Sequence, residues 1–194
     1  MIFQKIKKSA KFGIDKTDLE DKTAIQYAVE EEHLDCVQLL LEKKANLNIV
    51  SVDGRTTLHR AIETDNLEIL RLLVKNKVPM DLTTKRDGWT GLHIATRMGN
   101  YKMVELLLEN GAQFAIKDKE GRTPLHLASQ MGFVDIAKLL LKKGAVVDEL
   151  NKQGRTPLHL ASQMHLNCVE LLVEKGANIL KEDHVYFFFF NFYN

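Results

Sequence analysis

Adjacent leucines recur along the chain at Leu39–Leu40, Leu72–Leu73, Leu106–Leu107, Leu139–Leu140 and Leu171–Leu172. Each pair follows a small apolar residue at Ala28, Ala61, Ala95, Ala128 or Ala161, and each alanine follows an apolar residue at Ile25, Leu58, Leu92, Leu125 or Leu158. Two residues before that position stands a threonine: Thr23, Thr56, Thr90, Thr123 and Thr156, at spacings of 33, 34, 33 and 33. The string GRTPLHLASQM occurs letter for letter at Gly121–Met131 and at Gly154–Met164. A fixed period in this range marks stacked supersecondary units, so repetition takes precedence over any other fold argument.

Each period predicts two short helices. Thr123 suits an N-cap, and Pro124 fits the first helical position, where its missing N–H costs nothing. The first helix then runs through LHLASQM to Gly132. A second, roughly Val134–Lys142, places Ile136, Leu139 and Leu140 on one face, and Gly144 supplies the left-handed residue that closes it. The polar, glycine-ended segment that follows predicts a projecting hairpin-like loop. One such helix pair cannot bury its apolar face alone, so neighbours must stack.

The units divide into a truncated half-repeat at 1–17, five repeats at 18–50, 51–84, 85–117, 118–150 and 151–182, and an aromatic tail at 183–194. DKEGRTPLHLASQMGFVDIAKLLLKKGAVVD, at Asp118–Asp148, resembles an ankyrin repeat in its TPLH turn, its inter-helix glycine and its LLLxxGA close. The resemblance covers about Asp18–Glu182. It implies an all-α ankyrin-repeat solenoid of helix–turn–helix units with β-hairpin-like loops, and a protein that binds other proteins rather than catalysing a reaction.

Several positions depart from the pattern. Lys44 and Lys77 stand where the helix-ending glycine belongs, at a cost near 1 kcal/mol each if the left-handed conformation is kept. The second repeat carries an extra residue near Thr83–Thr84, and the fifth lacks the inter-helix glycine. Ile2–Asp15 reads as the second helix and exit loop of a preceding unit, and Asp183–His184 would open a sixth before the sequence turns to VYFFFFNFYN. That run is β-prone, uncharged and proline-free, a composition that favours aggregation when exposed, and reads as a liability rather than a site.

Composition narrows the chemistry. A net charge of +1 supplies no field to draw the chain to nucleic acid or to an anionic membrane. The longest apolar run, Tyr186–Phe190, is far shorter than a spanning helix, and Met1–Gly13 lacks the apolar centre of a signal peptide. Cys36 and Cys168 fall at equivalent positions four repeats apart, too far for a disulfide, and read as reduced packing residues. A cytoplasmic monomer is expected, with a nuclear address as the alternative raised by Lys5, Lys7, Lys8 and Lys11.

His59, His93, His126 and His159 share one repeat position. Metal ligands must lie ~2 Å from one ion, whereas stacked helix layers separate equivalent residues by ~8–10 Å, so no metal is expected. In the resembled family this histidine bonds locally and to the adjoining repeat. Ser129 and Ser162 have no acidic orienter and no G-x-S-x-G turn, and no phosphate-binding or zinc-protease motif occurs. No catalytic residue and no cofactor are expected. Asn48 reads as a polar loop residue, although related ankyrin proteins can be hydroxylated on asparagine.

The resemblance places partner contacts on the loop tips and on the exposed face of the first helices. The residue before each threonine is Lys22, Arg55, Trp89, Arg122 and Arg155, with Arg86 in the third tip. Near the ends of the first helices lie Arg97, Gln130 and Gln163, beside Met98, Met131 and Met164. The first repeat is acidic instead, with eight acids against three bases over Asp18–Val50, including Glu30, Glu31 and Glu32. Arginine and tryptophan are favoured at binding hot spots, and methionine adapts to irregular apolar partners. The expected partner-binding set is Arg55, Arg86, Trp89, Arg97, Met98, Arg122, Gln130, Met131, Arg155, Gln163 and Met164. The competing reading is that the methionines merely cover the inter-helix loops. Function is expected to be that of a scaffold, adaptor or regulatory module. The alternative is a targeting segment of a larger enzyme or signalling protein.

Overall fold

The computed structural model describes residues 13–180. The expectations for the half-repeat helix, the N-terminal lysines, Asp183–His184 and the aromatic run lie wholly or mainly outside the described residues. Among the described residues are ten helices and no strand. They alternate as first and second helices of five units: α1 (Ala24–Glu30) and α2 (Leu34–Glu42), α3 (Thr57–Glu63) and α4 (Leu67–Lys75), α5 (Gly91–Arg97) and α6 (Tyr101–Glu109), α7 (Pro124–Met131) and α8 (Val134–Lys142), α9 (Pro157–Ala161) and α10 (Leu166–Glu174). The architecture is an all-α repeat solenoid. By contacts the chain falls into two compact units, Met1–Ile94 and Ala95–Asn194.

In the first unit, α1 packs against α3 and α2 against α4. Ile25, Leu58, Ile62, Ile69, Leu70 and Leu73 are fully buried between them. In the second unit α7 packs on α9, while α8 packs on both α6 and α10 around Met103, Leu107, Leu125, Leu140 and Leu172. The repeated alanines, Ala28 and Ala61 in one unit and Ala95, Ala128 and Ala161 in the other, are all fully buried. A larger side chain there would separate neighbouring helices, because packed interiors leave little free volume.

Each first helix starts the same way. In the second repeat the Thr56 N–H donates to His59 Nδ1 at 3.1 Å, and the His59 N–H donates back to Thr56 Oγ1. This is a capping box with histidine in the place more often taken by glutamate or glutamine. Nδ1 is therefore bare, and the neutral ring carries its proton on Nε2. Nε2–H donates to the carbonyl of Trp89, 30 residues along the chain, at 3.1 Å. His126 repeats the arrangement with Thr123 and the Arg155 carbonyl at 3.1 Å. The same cap forms at Thr90–His93 and Thr156–His159. The first repeat has Gln26 instead: its Oε1 accepts from the Thr23 N–H, and its Nε2 donates to the carbonyls of Ile49 and Arg55.

The projecting loops are closed turns whose backbone pairing is too short to make a strand. In the fourth repeat Asp118 N–H donates to the Arg122 carbonyl and Gly121 N–H to the Asp118 carbonyl, while Asp118 Oδ1 accepts from the N–H groups of Glu120 and Arg122. Asn151 does the same work in the fifth. Successive tips are joined by one backbone bond, Val52 N–H to the Glu20 carbonyl in the first unit and Lys152 N–H to the Glu120 carbonyl in the second. Gly121 must be glycine on two counts: its φ is +76°, and a Cβ would stand 2.7 Å from the Lys152 nitrogen.

The departures behave as the pattern predicts, with one shift. Lys44 and Lys77 do take left-handed φ values of 60° and 57°. The extra residue sits within the third tip, where the closing bond spans Thr84 to Trp89 rather than four residues, a few positions beyond Thr83–Thr84. In the fifth repeat α9 has five residues, against eight in α7, and Leu171 follows Ala161 by ten residues where Leu139 follows Ala128 by eleven. Absence of glycine alone does not shorten a first helix: Glu32 and Asp65 hold the same position with left-handed φ values of 55° and 59°, and the helices before them keep seven residues.

Burial pushes the His59 and His126 imidazoles down to about 4, against the opposing pull of their carbonyl partners. The unfolded chain, with ordinary histidines near 6.5, binds more protons than the folded one between those values. Stability is therefore full above about pH 6.5 and is lost as pH falls towards 4, by up to roughly 3 kcal/mol per ring. Thermal melts should show a native chain that weakens from pH 7 to pH 5. The double variant His59→Gln, His126→Gln should keep the cap, as Gln26 does, and weaken less over the same interval. Parallel curves would refute the assignment.

Candidate interaction surface

The expected contact residues fall in both units. In the first, Arg55 is half-buried and its Nε donates to both carboxylate oxygens of Glu63 at 2.8 and 3.0 Å, with Asp53 3.5 Å from its Nη1. Arg86 stands at the apex of the enlarged tip with its side chain 89% exposed and only a loose pair to Asp87. Trp89 is half-buried rather than fully exposed, and its backbone is held on both sides, the N–H by Thr84 Oγ1 and the carbonyl by His59.

The acidic first repeat is largely answered within this unit. Arg60 is buried, pairs with Glu30, and donates to Ser51 Oγ at 2.6 Å and to Asp53 at 3.2 and 3.3 Å. Lys22 approaches Glu30 at 3.4 Å, and Glu32 accepts from the Asn66 side chain. Tyr27 donates to Asp18, a bond that pushes its phenol up to about 12. Glu30 and Glu32 are thus engaged in holding the fold.

In the second unit Arg122 is also structural. Its Nε and Nη2 both lie 2.9 Å from Asp118 Oδ2, and the Asp118 side chain is fully enclosed. Arg155 is half-buried, and its carbonyl receives His126. By contrast Arg97, Gln130 and Gln163 are exposed, and the methionine row remains open: Met98 is 42%, Met131 44% and Met164 85% exposed. The task of covering the inter-helix glycines falls to other residues. The Phe133 ring lies about 3 Å from where a Gly99 Cβ would be, and the His165 ring closes over Gly132 while its Nε2–H donates to the Gln130 carbonyl.

Two features of this surface were not anticipated. Leu19 and Val52, at equivalent positions of the first two tips, are exposed, Leu19 completely. A groove of about 720 Å³ runs between α6 and α8, lined by Tyr101, Glu105 and Glu109 of α6 and by Asp135, Lys138, Leu139 and Lys142 of α8 with Lys143 just beyond it. Leu19 and Val52 were legible as apolar residues in polar turns. The groove was not, because it depends on how two second helices are spaced.

Stacked helix pairs, a threonine cap bridged to the next loop and short projecting tips define a helical-repeat protein. The model for ankyrin repeats, in blocks of three copies, matches residues 2–86, 45–118, 77–151 and 114–183, and the chain belongs to that family. No curated protein matches it. Ankyrin repeats are generally protein–protein interaction modules and typically non-catalytic. No helix among the described residues is long and apolar enough to cross a membrane.

The buried Arg60 stands where the later first helices carry Ile94, Leu127 and Leu160. A buried ion pair is costly to desolvate, so replacing it by an aliphatic side chain is often neutral or stabilising, whereas removing one partner alone costs about 3–5 kcal/mol. Arg60→Leu leaves Glu30 with Lys22 and Asp53 with Arg55. Denaturant unfolding should therefore place Arg60→Leu within about 1 kcal/mol of the native chain or above it, and Glu30→Ala about 1.5–3 kcal/mol below it, since Arg60 then loses one charged partner and keeps Ser51 and Asp53. The reverse order would show that the arginine is indispensable to the stack.

Proposed function

We propose that this chain is a scaffold or adaptor module of the cytoplasm or nucleus that binds a partner protein through its loop tips and the exposed ends of its first helices. One observation supports this most strongly. Met98, Met131 and Met164 remain exposed at equivalent positions even though Phe133 and His165 already cover the inter-helix loops beside Met98 and Met131. A repeated apolar row without a packing task fits a contact surface, and methionine suits a partner of irregular shape.

Exposed Arg97, Gln130 and Gln163 provide the polar rim of this row on the second unit, and Arg86 offers an exposed cation on the first. Arg55, Arg122 and Arg155 contribute less, since the first two already hold carboxylates and the third is half-buried. Trp89 is the proposed aromatic anchor on the first unit. The partner segment suited to this set is apolar with acidic flanks. Its binding draws on a preorganised surface, so little ordering entropy is lost on association.

The test is a titration of the captured partner against variants. Replacing Met98, Met131 and Met164 together by serine should weaken binding by at least about ten-fold while leaving folding stability within about 0.5 kcal/mol per site. Trp89→Ala should cost about 2 kcal/mol, roughly 30-fold in affinity. Native affinity in the triple variant would remove the methionine row from the interface. Loss of stability without loss of affinity in Trp89→Ala would make that residue structural.

A further inference from the structure

The last described repeat ends in an apolar face that an interior repeat would bury. Leu125 and His126 are fully buried, but their equivalents Leu158 and His159 are half-buried. Ser129 is enclosed and Ser162 is exposed; Ala137 is enclosed and Val169 half-buried. Val173 is 45% and Ile179 71% exposed. Together they line a groove of about 230 Å³ between α9, α10 and the loop leading to Leu180. A solenoid requires its outermost unit to carry a polar outer face or to be covered, and this face is mainly apolar, with His159, Ser162 and Asn178 at its polar points, and is covered by no described residue.

The sequence supplies an occupant. Asn178 and Ile179 line the groove, and Lys181–His184 follow as four polar residues, then Val185–Tyr193 with five phenylalanines, two tyrosines and no charge. Four residues span up to roughly 13 Å, enough to bring the aromatic run onto the groove beside which the chain leaves. So short a tether sets an effective concentration on the order of millimolar, which favours the attached segment over any free competitor of similar chemistry. Aromatic side chains carry a large area to bury, Leu158, Val169, Val173 and Ile179 offer an apolar counterpart, and tyrosine hydroxyls can bond the polar groups of the lining.

We propose that Tyr186–Tyr193 docks in cis on the groove formed by Leu158, Val169, Val173 and Ile179, and caps the fifth repeat. Docking removes from water both the exposed layer face and the aggregation-prone run. It also assigns the aromatic segment a structural task separate from the partner surface, so failure of this proposal leaves the methionine row untouched.

The experiment uses the full chain and its two cysteines. Cys168 lies fully buried in α10, and Cys36 is half-buried in α2 as an internal control. Replacing Phe187, Phe188, Phe189 and Phe190 by serine should speed thiol labelling of Cys168 roughly ten-fold through easier local opening, with Cys36 unchanged. In the native chain, methyl resonances of Val169, Val173 and Ile179 should carry ring-current shifts that vanish in the serine variant and do not change on dilution. Shifts that fade on dilution would mean that a second copy, not the chain's own segment, occupies the groove, and would overturn the proposal. So would native methyl positions unaffected by the substitutions, or Cys168 labelling at the native rate.

Discussion

Everything in this fold depends on a side chain at the third position of each first helix that bonds in two directions. Its inner atom accepts the N–H of the capping threonine, and in the first, second and fourth repeats its outer atom is seen to donate to a carbonyl in the loop of the next repeat. A helix of five to eight residues is too short to persist in water on its own. The cap ends the helix cleanly, and the outer bond ties it to its neighbour, so local and long-range order come from one residue. Histidine does this with a rigid ring and glutamine with a flexible amide, which explains why Gln26 can replace it in the first repeat.

The rest of the design follows from keeping that bond short. Alanines on the first helices let neighbours approach, and the left-handed residues at the ends of second helices return the chain to the next loop in register. Where glycine is missing the chain accepts strain, as at Lys44 and Lys77, instead of altering the turn. Because the backbone is fixed in this way, side chains on the tips and helix ends can vary without disturbing the core. That freedom is what allows a repeat protein to present a surface suited to one partner.

The period of threonine, leucine and alanine made the helices legible almost to the residue, and the bounds expected for the second helix of the fourth repeat, Val134–Lys142, are those observed. Capping and turn chemistry are local, so a linear pattern carries them. The charge cluster around Arg60 was not legible in that way. Whether Glu30, Ser51 and Asp53 converge on one guanidinium depends on which helix face looks toward a neighbouring tip. The same holds for the arginines of the tips, which read as partner contacts in sequence, whereas Arg55 and Arg122 are bound to Glu63 and Asp118 in the fold. The replacement of glycine cover by Phe133 and His165 likewise appears only once the layers are stacked.

The most direct measurement of this account is nitrogen NMR of the His59 and His126 rings at neutral pH. Both rings should be neutral, with a bare Nδ1 and a slowly exchanging proton on Nε2, and the Nε2–H of His59 should couple through its hydrogen bond to the Trp89 carbonyl and that of His126 to the Arg155 carbonyl. A proton found on Nδ1, or averaged signals from a ring exchanging freely with water, would contradict it.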